Sequence, residues 1–248
     1  MELRDFFQEC PKVALGFSGG VDSAYLLYAA LDHGAQVRPY FIKTAFQPQF
    51  ELEDARRLCA QLGVELTVLE LDVLKNEAVT ANPPDRCYHC KTALFGALSA
   101  QALADGYTLL LDGTNASDDA GDRPGMRALR ELSVRSPLRE CGLTKAEIRR
   151  LSKEAGLFTW DKPAYACLAT RIPSGDAITA EKLLATERAE AFLFSLGLTD
   201  FRVRNYHGAA RLQFPEAQLN AVLARRAEIL QELKKDYPAV LLDLEVRG

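Results

Sequence analysis

The segment Gly16-Phe17-Ser18-Gly19-Gly20-Val21-Asp22-Ser23 limits what this chain can fold into more than any other. It closes the apolar run Lys12–Phe17 and opens Val21–Leu31, where Ala24, Leu27, Tyr28 and Leu31 recur at helical spacing. That pattern reads as strand, glycine loop, helix. In an open α/β sheet this is where a ligand site lies, at the carboxyl end of a strand and the start of a helix. Glycines let backbone N–H groups approach an anion, serine hydroxyls add donors, and the helix N-terminus supplies positive partial charge. Asp22, in the first turn, can cap the helix or hold Mg²⁺ between phosphates. The plain alternative is a structural turn with a helix cap, and two adjacent glycines alone would not argue against it. The whole Ser-Gly-Gly-x-Asp-Ser string after an apolar strand does. No Gly-Lys-Ser/Thr follows, so this is not a Walker loop, and the dinucleotide pattern Gly-x-Gly-x-x-Gly is also missing.

The strand and helix alternation continues. Strands are expected near Val37–Ile42, Val64–Leu69 and Tyr107–Leu111, and helices near Leu52–Leu62 and Lys91–Leu103. Such alternation predicts an α/β fold with a parallel, Rossmann-like sheet covered on both faces. After Asp112 the chain turns polar from Gly113 to Gly125, then returns to helical pieces and a helix over Lys145–Glu154. Long loops in compact domains are often functional. The Pro-punctuated stretch Trp160–Gly175 reads as a linker that also carries site residues. Beyond it are expected a helix (Ala180–Leu196), two strands around His207-Gly208 (Phe201–Asn205 and Ala210–Phe214), a helix from Pro215 and a closing strand Val240–Val246. This second pattern is α+β, so two domains are expected, residues 1–162 and 163–248.

Composition narrows the partners. The 248 residues carry 30 Lys+Arg and 34 Asp+Glu, a formal charge of −4, so no global basic field holds nucleic acid. A small molecule, with neither nucleic acid nor membrane, is the expected partner. Met1-Glu2-Leu3-Arg4-Asp5 has neither a basic n-region nor an apolar h-region, so a cytoplasmic location is expected. There the six cysteines should be reduced thiols serving packing, metal binding or catalysis.

Cys87-Tyr88-His89-Cys90 follows the Pro-rich approach Asn82–Arg86, which is expected to be exposed. The C-x-x-C pair admits four readings: half of a zinc site, a redox pair, part of an iron–sulfur ligand set, or two thiols that coexist. A closed zinc site would have only Cys87, Cys90, Cys167 and at best His89 or His207 to draw on. Three thiolates fit a cluster with one open iron better. Cys167 is flanked by Lys162 and Arg171, and positive charge makes a thiolate nucleophilic, although a buried inert cysteine is the default for a lone thiol. Cys10, Cys59 and Cys141 are read as packing residues. Cys59 shares a helix face with Leu52, Ala55 and Leu62.

The glycine loop resembles the pyrophosphate loop of the N-type ATP pyrophosphatases. That resemblance implies cleavage of ATP between its α and β phosphates, with AMP passed to a substrate oxygen. Several blocks together resemble one branch, the LarE-like sulfur transferases: Ser18–Ser23, Asp112–Asn115 with Asp118-Asp119 and Arg123–Gly125, Ser136–Leu138, Lys162–Arg171, and Phe201–His207. The likeness runs through both expected domains. It implies a substrate of pyridinium-3,5-biscarboxylic acid mononucleotide, a carboxylate adenylated by ATP, a thiolate displacing AMP, and a thiocarboxylate product destined for the nickel-pincer cofactor of lactate racemase. One subtype of this family sacrifices its active-site cysteine, and another carries three cysteines that ligate a [4Fe-4S] cluster. By position Cys167 matches the first feature and Cys87 with Cys90 the second, so the resemblance implies the cluster subtype. Thr170 stands where the family pattern has Ser, and the hydroxyl is kept.

The same resemblance implies the remaining roles. Ser18, Gly19, Gly20, Asp22 and Ser23 would hold phosphates and Mg²⁺, with Thr44 and Thr114 near the adenosine. Cys167, Asp22 and Arg171 would act in catalysis. Lys91, Arg171, Glu190, Arg202 and Arg204 would line the side of the anionic substrate, which Arg forks and a Lys suit. Taken alone, Arg202 and Arg204 could equally be a solvated strand face, and Glu190 a helix-surface charge. The family tends toward homo-oligomers. The rival within enzymes is a cluster-dependent tRNA thiolase, which the −4 charge and the lack of a basic or aromatic RNA platform argue against. NAD or GMP synthetases need no cysteine triad, and a non-catalytic nucleotide sensor would bind ATP without releasing pyrophosphate.

Overall fold

The computed structural model describes residues 2–118 and 124–247. In chain order its elements are α1 (Leu3–Glu9), β1 (Lys12–Gly16), α2 (Val21–Asp32), β2 (Gln36–Lys43), α3 (Gln49–Gln61), β3 (Thr67–Glu70), α4 (Glu77–Thr80), α5 (Arg86–Ala104) and β4 (Leu110–Leu111). There follow α6 (Pro124–Glu131), α7 (Pro137–Glu140), α8 (Lys145–Glu154), α9 (Ala180–Ser195), β5 (Arg202–Tyr206), β6 (Ala209–Gln213), α10 (Leu219–Ala224), α11 (Arg226–Leu233) and β7 (Val240–Leu242). The chain forms two units. Met1–Val73 with Asp85–Lys162 makes one, and Leu74–Pro84 with Pro163–Gly248 makes the other.

The first unit is the α/β unit, built on a four-stranded sheet in the order β3-β2-β1-β4. Every pair is parallel. Its strands are apolar on both faces, as a sheet covered on both sides requires. Alternate residues divide accordingly: Val13, Leu15 and Phe41 join a core with α1, α2, α3, α7 and α8. Ala14, Tyr40 and Leu110 point the other way, against Leu98 and Ala102 of α5. The order reverses at β1, so the loops after β1 and β4 leave the sheet in opposite directions and open a crevice at its carboxyl edge.

Several elements differ from the sequence expectation for local reasons. The strand expected over Tyr107–Leu111 contracts to Leu110–Leu111, because the Tyr107 N–H still closes the end of α5 on the Ala102 carbonyl. Helix α5 starts at Arg86, not Lys91, which places Cys87 and Cys90 on its first turns. Pro83 and Pro84 interrupt only the residues before the Asp85 N-cap, where a missing N–H costs nothing. Asp119 and Arg123 of the quoted blocks lie outside the described residues, and Pro124 already begins α6.

The second unit is α+β, with a three-stranded sheet in the order β5-β6-β7, the first pair antiparallel and the second parallel. His207 and Gly208 both take positive φ, 49° and 82°, the signature of the two-residue turn whose twist matches a hairpin. Helix α9 and the pair α10 and α11 cover one face through Leu193, Phe201, Val203, Leu212, Ile229 and Leu233. The expected helix from Pro215 is a 3₁₀ turn (Glu216–Gln218) followed by α10 and α11, which break at Arg225. The closing strand ends at Leu242: Asp243 still donates its N–H to the Leu212 carbonyl, its carboxylate accepts the Glu245 N–H in a local turn, and Arg247 N–H then reaches the Phe214 carbonyl. No helix among the described residues is long and apolar enough to cross a membrane.

Candidate active site

The glycine loop is shaped by contacts that only glycine permits. Gly19 has φ 72°, and a Cβ there would lie 3.3 Å from the Ala55 backbone of α3. Gly113, on the loop after β4, passes so close to α2 that a Cβ would come within 3.0 Å of the Ser23 N–H nitrogen. Thus the loops after β1 and β4 meet at the first turn of α2. Within the loop, the Ser18 hydroxyl accepts the Gly20 N–H at 3.3 Å and lies 3.1 Å from the Ser23 hydroxyl, which donates to the Gly20 carbonyl at 3.2 Å. The Gly20 N-cap has no side-chain partner for the first turn of α2, which leaves its N–H donors and positive partial charge facing the crevice.

Asp22 is not a helix cap. One carboxylate oxygen accepts Lys145 Nζ at 2.5 Å and the other accepts Asn115 Nδ2 at 3.2 Å. Lys145 opens α8, where Thr144 and Glu147 form a capping box and Ser117 Oγ accepts the Lys145 N–H at 2.9 Å. Asn115, 2% exposed, is set by the same loop: its backbone N–H donates to Asp118 and its side-chain Oδ1 accepts the Ser117 N–H. Asp112 accepts the Ser136 hydroxyl at 2.6 Å and also the Thr114 hydroxyl. Thr44 closes the loop after β2, its hydroxyl donating to Gln47 Oε1 at 2.7 Å and accepting the Phe46 N–H at 2.9 Å. Thr44 and Thr114 therefore stand at the carboxyl edge but spend their hydroxyls on their own loops. Lys145 and Asn115 complete the loop site, and sequence reasoning gave neither a role; Lys145 is 123 positions from Asp22 and its place on a polar helix gives no local signal. Lys91 lies along α6, where a Cβ on Gly125 would approach its Cδ to 3.1 Å.

The thiols divide by environment. Cys59 is buried in the first unit's core, and burial pushes its pKa up to about 12. Cys10 and Cys141 pack against the same core, and burial raises the Cys141 thiol as well. Cys87 is exposed and Cys90 half-buried, three residues apart on α5 and so on one helix face. Cys167 belongs to the second unit, half-buried at the head of the 3₁₀ turn Leu168–Arg171, where its carbonyl accepts the Thr170 hydroxyl at 2.8 Å. The Lys162 ammonium is paired with Asp54 at 2.6 Å within the first unit. Neither unit alone holds all three of Cys87, Cys90 and Cys167, and no group of three or more His, Cys, Asp or Glu placed for a metal occurs among the described residues.

In the second unit, Arg171 and Glu190 form a pair that is 1% and 2% exposed, with Nε–Oε1 at 2.8 Å and Nη2–Oε2 at 3.1 Å. Tyr165 OH and the Val203 N–H complete the four donors on the Glu190 carboxylate. Glu190 is thus a buried acceptor and not the surface charge its helix position suggests. Burial works against the Arg171 charge, but the hydrogen bonds and charge of Glu190 outweigh it and hold the guanidinium more basic than usual. Arg202 is also buried, not solvated. It donates to the Phe201 and Ala164 carbonyls at 2.6 Å each, and burial, then Arg171 and Arg247, push its pKa down to about 10. Arg204 is half-buried, bonded to Gln213 and to the Thr170 carbonyl, and lowered first by burial and then by Arg171, Arg211 and Arg247. Arg171, Arg204 and Arg211 line a cavity of about 260 Å³ with Thr170, Pro173 and Gln213. Arg204 and Arg211 are directly opposed across β5 and β6, and the Asp243 carboxylate, 3.4 Å from Arg211 Nε, offsets part of their repulsion.

This fold and loop are those of known proteins. The family of the queuosine biosynthesis protein QueC matches residues 12–83. Along nearly its whole length the chain is similar to an uncharacterised protein of Synechocystis sp., at 38% identity over 98% of this chain and 92% of that one. It is 31% identical to the pyridinium-3,5-bisthiocarboxylic acid mononucleotide synthase of Lactiplantibacillus plantarum over 96% of this chain and 87% of that enzyme. The tRNA-specific 2-thiouridylase of Thermotoga maritima is 26% identical over only 59% of this chain. The parallel sheet and its glycine loop define an ATP-using enzyme of the PP-loop ATP pyrophosphatase type. Within that type the chain belongs to the family of the pyridinium-3,5-bisthiocarboxylic acid mononucleotide synthase, the LarE-like sulfur transferases.

Proposed function

We propose that this protein adenylates a carboxylate of pyridinium-3,5-biscarboxylic acid mononucleotide and converts it to a thiocarboxylate for nickel-pincer cofactor synthesis. The observation that carries the ATP half is the Asp22 carboxylate, set at the mouth of the glycine loop between Lys145 and Asn115. Carboxylate oxygens are the donors that Mg²⁺ takes, so Asp22 would hold the ion against the phosphates by exchanging its Lys145 contact for the metal. The loop N–H groups, Ser18 and Ser23 would bind the leaving pyrophosphate. The substrate carboxylate oxygen then attacks the α-phosphorus and the bond to pyrophosphate breaks, which turns a poor leaving group into AMP. Substrate anions have a counterpart in the cavity of Arg171, Arg204 and Arg211.

For the sulfur half, a sulfide displaces AMP from the acyl adenylate, the C–S bond forming as the C–O bond to AMP breaks, and Cys167 is proposed to help hold the group that delivers it. Cys87, Cys90 and Cys167 would be the ligands of a [4Fe-4S] cluster; thiolates are its usual donors, and the first two share one exposed helix face. The cluster, when bound, would supply the sulfide.

The test is pyrophosphate release by the full chain. It should depend on the dicarboxylate mononucleotide and fall at least about a hundredfold in Asp22→Ala, the scale of a lost electrostatic contact to the transition state. Release stimulated by tRNA instead would move the protein to the tRNA thiolases. Anaerobically purified protein should contain iron and sulfide, lost in Cys87→Ala and in Cys167→Ala, and a colourless zinc protein would sink the cluster assignment.

A further inference from the structure

The turn that follows Arg171 is held by a residue about ninety positions earlier in the chain. Asn82, 1% exposed, lies in the stretch Leu74–Pro84 that belongs to the second unit. Its Nδ2 donates to the carbonyl of Pro173 at 2.7 Å, of Asp176 at 3.1 Å and of Ile172 at 3.4 Å. Its own carbonyl accepts the Gly175 N–H at 2.9 Å and the Ser174 hydroxyl at 3.2 Å. Two residues earlier, the Thr80 carbonyl accepts the Ile178 N–H at 2.8 Å. The two N–H groups of one amide are therefore shared among three carbonyls of one tight turn, of which that of Pro173 also accepts the Asp176 N–H at 3.1 Å.

The residue type is dictated twice. Asn82 has φ 55°, a left-handed conformation that Asn and Gly take at low cost. Glycine would accept the backbone but bring no amide. Aspartate would accept it too but would point acceptors at three acceptors. The turn so held begins immediately after Arg171, and Pro173 within it is a wall of the arginine cavity, whereas Asn82 itself does not line that cavity.

We infer that Asn82 is a positioning residue for the anion cavity, fixing the Ile172–Asp176 turn so that Thr170, Arg171 and Pro173 present one preformed wall to the substrate. The inference rests on the reading of that cavity as the substrate's anion site. Its chemistry is that of preorganisation: the turn is ordered before the anion arrives, so the ordering cost does not fall on binding.

The test uses the full chain with Asn82→Gly, which keeps the backbone conformation and removes only the amide, and Asn82→Asp, which keeps the shape and reverses the polarity. Inorganic phosphate is the probe, titrated by calorimetry, with Arg204→Ala as the control that assigns the phosphate to the cavity rather than to the glycine loop. Both Asn82 variants should bind cavity phosphate about tenfold more weakly, the scale of one or two buried hydrogen bonds, with the KM for ATP unchanged. Hydrogen exchange should quicken in residues 170–178 while the β5–β6 hairpin keeps its protection. Faster exchange with phosphate affinity unchanged, or protection lost evenly over 163–248, would make Asn82 a structural residue only and overturn the inference. A wild-type chain whose phosphate binding ignores Arg204→Ala would overturn the cavity reading itself, a result distinct from either.

Discussion

Glu190 shows how much a single side chain can be re-read by its surroundings. Its place in α9 is that of any helix glutamate, yet the fold buries it against Arg171 and converges Tyr165 OH and the Val203 N–H on the same carboxylate. All its acceptor capacity is in use, so it orients Arg171 and leaves substrate contact to others. Removing it strands a guanidinium that is 1% exposed. Glu190→Ala should therefore lower stability by about 3–5 kcal/mol, the range for breaking a buried pair. Glu190→Ala/Arg171→Met should recover a good part of that loss, and chemical denaturation of the single and double variants checks it. The glycine loop was legible because its glycines, serines and aspartate are consecutive. The Arg171–Glu190 pair and the Lys145–Asp22 pair were not, because partners 19 and 123 positions apart leave no local pattern.

Among the elements, α8 ties local sequence to the site most directly. Thr144 and Glu147 form its capping box, and the residue between cap and core, Lys145, is the one that reaches Asp22. Thr144→Ala should cost about 1 kcal/mol through the lost cap. It should also weaken ATP binding by loosening Lys145, which nucleotide titration would detect. Hydrogen bonds from the Thr144 side chain and then its backbone hold the Glu147 carboxyl below its usual range. For an acid depressed in the folded state, the stability is present above the unfolded pKa and is lost as pH falls through the folded one. The wild-type advantage over Thr144→Ala should therefore hold at neutral pH and shrink below about pH 4, visible in melts recorded across that range. Helix α8 was expected over the residues it occupies, whereas the start of α5 was hidden by Pro83 and Pro84, which look like loop but sit where a helix tolerates them.

At the scale of the whole molecule, the excursion Leu74–Pro84 matters most. It lies within the stretch that sequence assigns to the first domain, but it packs with the second unit through Asn82 and the Thr80 carbonyl. A fragment ending at residue 162 should leave Val79 and Asn82 without their cover. Hydrogen exchange of that fragment should show residues 74–84 unprotected and the β1–β2 pairing intact. Protection of 74–84 equal to that in the full chain would refute the assignment. The α/β class, the strand–glycine loop–helix unit, the C-x-x-C pair and the hairpin turn were all determined by sequence alone, because each is written in neighbouring residues through period, turn chemistry or spacing. Tertiary structure alone decided which charge answers Asp22, that Arg171 and Glu190 share one buried pair, and that Asn82 holds the turn beyond Arg171. Those are contacts between distant positions, whose energies come from burial and hydrogen-bond geometry that no local window of sequence contains.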